Sequence, residues 1–173
     1  MADIIGKRKI SKSKSEQTVN LKQLLGETPT QDQKSRFARE AIEVINQRTL
    51  DGKDVDESKF TPYSEAYAER KGVTPDSVDL FLSGDMLESL KLTKDTPHTV
   101  SFGIEGGDAA KKSYYHNTGT AKGGKKREFF GITRSEAEKI AESIKKDVVD
   151  REDSVGFTLA ELRAALSAIG LKE

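Results

Sequence analysis

Apolar positions along this chain change period several times, and each change predicts an element. Between Gln31 and Leu50, Phe37, Ala38, Ala41, Ile42, Ile45 and Leu50 recur at helical spacing, which predicts an amphipathic helix with one apolar stripe, ended by Asp51-Gly52. Thr61 as N-cap with Pro62 in the first turn predicts a second helix, with Tyr63, Ala66 and Tyr67 on one face and Gly72 past its end. Ser83-Gly-Asp-Met-Leu-Glu-Ser-Leu90 reads as a small-residue turn opening a short helix. The period then drops to two: Val100, Phe102 and Ile104 alternate with Thr99, Ser101 and Gly103 after the turn Asp95-Thr-Pro97, predicting a hairpin over about 90–105. Gly106-Gly107 closes it, and Tyr114-Tyr115 reads as a further strand. Thr133 and Glu136 form a capping box ahead of Ala137, Ile140, Ala141, Ile144 and Val148, a helix reaching to about Asp150. Thr158 and Glu161 form a second box, opening a helix that ends at Gly170.

Together these elements predict an α+β fold in which a small antiparallel sheet packs against two main helices, 31–50 and 134–150. The expected organisation is a basic, flexible N-terminal arm over 1–29, a core domain over 30–153 and a C-terminal helix over 154–173. Lys7, Arg8, Lys9, Lys12 and Lys14 lie among serines in the first block, as in a solvated tail. Val19, Leu21, Leu24 and Leu25 then form a short apolar anchor, expected to dock on a neighbouring subunit.

Composition narrows the function classes. Charged and apolar residues each make up 34% of the 173 residues, so the surface is heavily solvated or covered by partners, while the formal net charge of +0 removes any global pull toward nucleic acid or membrane. No cysteine is present, which excludes thiolate chemistry, and the N-terminus lacks the apolar run of a signal peptide; a soluble protein that starts in a cytoplasm is expected. His98 and His116 have no metal-ligand spacing, and Ser83, Asp85 and His116 lack the strand–turn–helix frame of a hydrolase elbow, so no catalytic residue, metal or cofactor is expected. Asp51, Asp54, Asp56 and Glu57 lack the spacing of a calcium loop and read as a solvated linker.

One stretch imitates a nucleotide site. Gly119-Thr-Ala-Lys-Gly-Gly-Lys-Lys126 matches G-x-x-x-x-G-K-[ST] except at its end, where Lys126 replaces the magnesium-binding hydroxyl. Its flanks offer neither a buried strand before it nor a helix after it, so the stretch reads as an exposed basic loop. Lys111, Lys112, Lys122, Lys125, Lys126 and Arg127 gather around Tyr114 and Tyr115 with no acid between Asp108 and Glu128, a patch able to hold phosphates through charge alone.

Read in order, Leu82-Ser-Gly-Asp-Met-Leu-Glu-Ser-Leu90, the alternating strand Val100–Ile104, Tyr115-His-Asn-Thr-Gly-Thr120 and Arg127-Glu-Phe-Phe-Gly-Ile-Thr133 resemble the virion morphogenesis, or tail-completion, proteins of tailed bacteriophages. That family has a Ser/Thr-Gly-x-Leu turn, a hairpin, a His-x-x-Gly step, a variable basic loop and an Arg-x-Phe-Leu-Gly step before a closing helix. The resemblance covers roughly 60–150; Lys126 stands where the family often has proline, and neither the basic head nor the last helix is accounted for. It implies a non-enzymatic structural subunit of the virion, assembled in the host cytoplasm. The subunit would form a homo-oligomeric ring, with a hexamer expected, at the neck or tail end. Its expected partners are other neck, connector or tail-tube proteins, met through Lys122, Lys125, Lys126, Arg127 and the 19–25 anchor, with possible contact to genomic DNA and none to membrane. The alternative is a monomeric accessory protein that binds DNA nonspecifically.

Overall fold

A computed structural model describes residues 3–80, 84–120 and 124–154, with side chains to 147. Its centre is a four-stranded antiparallel sheet built from two hairpins, β1 (Lys7–Ile10) with β2 (Lys14–Asn20) and β3 (Lys91–Asp95) with β4 (Thr99–Glu105). β2 and β4 join the hairpins, giving the order β1-β2-β4-β3. Their register sets Ser15 against Ile104, Gln17 against Phe102 and Val19 against Val100, so these side chains share the buried face. On the other face, β2 and β4 approach so closely at Gly103 that a Cβ there would lie 2.0 Å from the Ser15 carbonyl oxygen. This position excludes any side chain.

Among the described residues, helices cover the buried face. α1 (Leu21–Leu25) follows β2 directly, and α2 (Gln31–Leu50) begins at a capping box of Thr30 and Gln33. α3 (Glu65–Lys71) and α4 (Asp85–Glu88) are short, whereas α5 (Gly107–Thr118) and α6 (Arg134–Ser154) are long. α2 lies on β3 and β4, α5 lies on β2 and β4, and α6 packs against α2 and α1. Phe37, Ile45, Val100, Phe102, Ile104 and Ile144 fill the space between, all with 0–1% exposure, which is the core expected from the two periodicities. The fold is α+β, as the sequence predicts.

Several expectations are corrected. The 1–29 segment is no free arm: β1 and β2 are half of the sheet, Val19 and Leu21 are completely buried, Leu25 is buried and Leu24 packs against the same core. The 19–25 anchor therefore serves its own domain. Serine and lysine spacing there reflects a two-sided strand, polar outward, rather than a tail. Tyr114-Tyr115 lies in α5, because Ala110, Ser113 and Asn117 supply a small buried stripe at helical spacing and Ser113 hydrogen-bonds Ser15 at 2.7 Å. The N-cap of α3 is Ser64 rather than Thr61. Leu50, expected on the apolar stripe of α2, is 46% exposed, because the helix ends there and its last turn faces outward at that position. The helix expected at 158–169 lies outside the described residues.

Between α5 and α6 the chain from Arg127 to Thr133 crosses the interior without joining the sheet, and side chains satisfy its backbone. Phe129, Phe130 and Ile132 are completely buried. Asn117 Oδ1 accepts from the Phe130 N–H at 3.0 Å, Arg8 donates to the Phe130 carbonyl at 2.9 Å, and Arg48 Nη2 donates to the Phe129 and Gly131 carbonyls at 3.0 and 2.6 Å. Gln17 takes Ile132 from both sides, accepting from its N–H at 2.8 Å and donating to its carbonyl at 3.0 Å, while also donating to Ile5 at 2.7 Å. Thr133 then opens α6 through the predicted box, Glu136 accepting from its N–H at 2.7 Å.

Deleting 1–29 should abolish cooperative unfolding of the remainder, since it removes β1, β2 and Gln17 together; a truncated chain with a native-like melting transition would contradict this placement. Phe102→Ala should cost about 3–5 kcal/mol in denaturant titration.

Candidate functional site

The loop that imitates a phosphate site is closed at its neck. Gly119 ends α5 with φ +69°, and a Cβ there would lie 2.9 Å from the Lys126 nitrogen. The Arg127 N–H donates to the His116 carbonyl at 2.7 Å. A helix therefore enters the loop and an extended buried segment leaves it, the reverse of the strand-in, helix-out frame that a nucleotide phosphate needs.

Beside this neck, α3, α4 and α5 enclose a cavity of about 400 Å³. Tyr63 and Tyr67, with ring centroids 4.7 Å apart, form one wall, and Leu80 and Met86 add apolar surface. Arg127 lies with its guanidinium 5.1 Å from the Tyr63 ring centroid, donating from Nε to the Thr61 carbonyl at 2.8 Å and from Nη2 to the Pro62 carbonyl at 2.9 Å. Carbonyl oxygens and an aromatic face hold this cation, and no carboxylate is among the described residues lining the cavity. Lys112 and Lys125 line it too, both exposed, with Lys125 Nζ 3.4 Å from the Pro62 carbonyl.

His116, one helical turn beyond Lys112, shares the cavity. Burial, then the Arg127 and Lys112 cations, push its imidazole down from 6.5 to about 4, so it is neutral at physiological pH. Burial likewise lowers the Arg127 guanidinium from its ordinary value. On the far side of Tyr63, Lys71 pairs with Asp79, and the Tyr63 hydroxyl accepts from the Leu80 N–H at 3.2 Å, which fixes the ring as a wall. The cavity thus has an aromatic wall with Arg127 stacked on it, and its cations have no ion-pair partner among the described residues.

Of the residues expected to meet partners, Lys125 and Arg127 come together here. Lys126 turns away to Glu128 at 2.5 Å, and Lys122 lies outside the described residues. Sequence reasoning missed Tyr63 and Tyr67, which it assigned to a helix face, because their proximity to Arg127 is a long-range fact with no local signature. Among the described residues no group of three or more His, Cys, Asp or Glu is placed to hold a metal, and no helix is long and apolar enough to cross a membrane. No family model, curated protein or solved structure matches the chain.

A pH dependence follows from His116. Between pH 6.5 and about 4 the unfolded chain binds a proton at this residue that the folded chain does not, so stability should fall as pH falls through that window. His116→Gln should remove this component, its stability diverging from that of the parent only below pH 6.5 in urea titrations; parallel curves would show that the imidazole titrates normally.

Proposed function

We propose that this chain is a structural subunit of a tailed-phage particle that assembles into a ring at the neck or tail end, acting in tail completion or head–tail joining. One observation carries the reading: among the described residues no helix lies on the second face of the sheet, which is bordered by cations. Lys7 and Lys9 stand on β1 and Lys91 and Lys94 on β3, all exposed, and no ion pair engages them among the described residues. Between these two rows the surface is low and polar, formed by Thr18 hydrogen-bonded to Ser101 at 2.8 Å, by Gly103, and by Lys14 held to Glu16 at 2.9 Å. The rows lie three strand spacings apart, about 14 Å. A broad, charged surface of this kind, with no cavity described on it, suits a neighbouring subunit better than a small ligand.

The order of the motifs supports the same reading. The hairpin β3–β4, the His116 step and the Arg127–Gly131 step, which carry part of the resemblance, are joined in one packed unit: α5, which bears His116, packs on β4, the His116 carbonyl accepts from the Arg127 N–H, and Asn117 accepts from the Phe130 N–H. Their side chains tie backbone rather than gather reactive groups.

The lysine rows also favour the second reading, a monomer that binds DNA nonspecifically. Light scattering after size exclusion distinguishes the two. A ring subunit elutes at a multiple of 19.0 kDa, and Lys→Glu at 7, 9, 91 and 94 together returns it to the monomer mass without changing its circular dichroism. An accessory protein elutes at 19.0 kDa and retains duplex DNA, with a log–log salt slope that falls by about 0.9 for each phosphate-contacting lysine removed. Monomers that ignore DNA would refute both.

A further inference from the structure

We infer that the cavity walled by Tyr63, Tyr67 and Met86 and flanked by Lys112, Lys125 and Arg127 is a peptide-docking site, which takes a carboxylate side chain adjoining an aromatic or branched residue on a partner protein. Charge complementarity argues for the carboxylate. The described lining residues bring positive charge and no acid, and Arg127, although buried, is held only by neutral oxygens and a ring. Two of its donors are engaged by the Thr61 and Pro62 carbonyls, and Nη1 makes no hydrogen bond among the described residues, so it is free to meet an anion entering the cavity that Arg127 lines. Such a cation loses hydration without gaining a counter-ion, so a carboxylate brought into this space gains a charge-assisted hydrogen bond in a partly dry setting.

Shape argues for the apolar neighbour. A volume of about 400 Å³ exceeds what one carboxylate fills and falls within the usual range of ligand pockets. The Tyr63 ring is fixed by the hydrogen bond to Leu80, so an apolar side chain meets a preformed wall. A nucleotide fits less well. Its phosphates require a cradle of backbone N–H groups, and the neighbouring glycine loop is pinned at its neck by the Arg127–His116 bond with no helix following. The inference stands apart from the ring reading, because the cavity lies on the helix-covered side of the sheet and the lysine rows lie on the bare side.

The chain has four tyrosines and no tryptophan, so the Tyr63 and Tyr67 ring resonances report on the cavity with little overlap. The probe is the capped peptide acetyl-Gly-Phe-Asp-Gly-amide, titrated into the full-length protein by NMR, with the Asn-for-Asp peptide, inorganic phosphate and ATP in parallel. Expected is a saturable shift of both rings by the acidic peptide, weakened about tenfold or more by the Asn replacement. The double variant K112Q/K125Q should show a similar loss; both lysines are exposed, so its fold is retained, as an unchanged melting curve would confirm. Equal binding of the Asn peptide, tighter binding of phosphate or ATP, or no shift with the acidic peptide would each overturn the assignment.

Discussion

Burying a stretch of chain that belongs to no sheet or helix sets the terms for the rest of this structure. Phe129, Phe130 and Ile132 supply large apolar surface, but they bring backbone N–H and C=O groups into a region without water. Left unpaired, each such group costs about 1–3 kcal/mol. The chain meets this demand with side chains drawn from distant positions: Arg8 and Gln17 from the first hairpin, Arg48 from the end of α2, Asn117 from α5. Arg48 in turn needs an anion in its buried setting, and Glu136 of the α6 capping box provides it at 2.5 Å. The box therefore starts α6 and neutralises the arginine that ties α2 to the buried segment. Removing one of these polar groups exposes a deficit in several elements at once.

The same demand explains why the basic N-terminal block is structural. Arg8 shares the face of Gln17 and points inward to the Phe130 carbonyl and Glu128, while its neighbours Lys7 and Lys9 point outward. Alternation along one short strand thus separates a buried tie from a solvent-facing row. Composition alone cannot make that separation, since a run of lysine, arginine and serine has the same mean polarity whether it is a tail or a two-sided edge strand.

How much was legible follows from the range of the signal. α2, α6 and the β3–β4 hairpin declare themselves through sustained periodicity, and the capping box at Thr133 fixes the start of α6 locally. β1 and β2 have no large apolar face of their own. Ser15 and Gln17 are buried because Ser113 and Ile132 offer them partners, a pairing across some hundred residues that no local window contains. α5 hides behind two tyrosines of high strand propensity, although its buried stripe of Ala110, Ser113 and Asn117 has helical spacing. At the site, the charge of the 122–127 stretch was readable and its aromatic wall was not, because Tyr63 and Arg127 meet only in the folded chain.

Charge balance places a constraint on how copies or partners can meet. The chain is neutral overall, yet Glu128, Glu136, Asp95 and Asp79 are each paired with a cation inside the fold or at its edge. Positive charge is thereby left in excess at two places, the bare sheet face and the cavity beside Arg127. Two like-charged surfaces repel, so neither can be the other's partner in a head-to-tail contact between identical subunits. Each calls for acid from elsewhere. Within this chain the turn from Asp51 to Glu57 concentrates carboxylates, and it sits on the helical side, its Val55 N–H bonded to the Glu128 carbonyl at 2.8 Å. A contact between identical copies would therefore set a basic surface against an acidic one such as this turn.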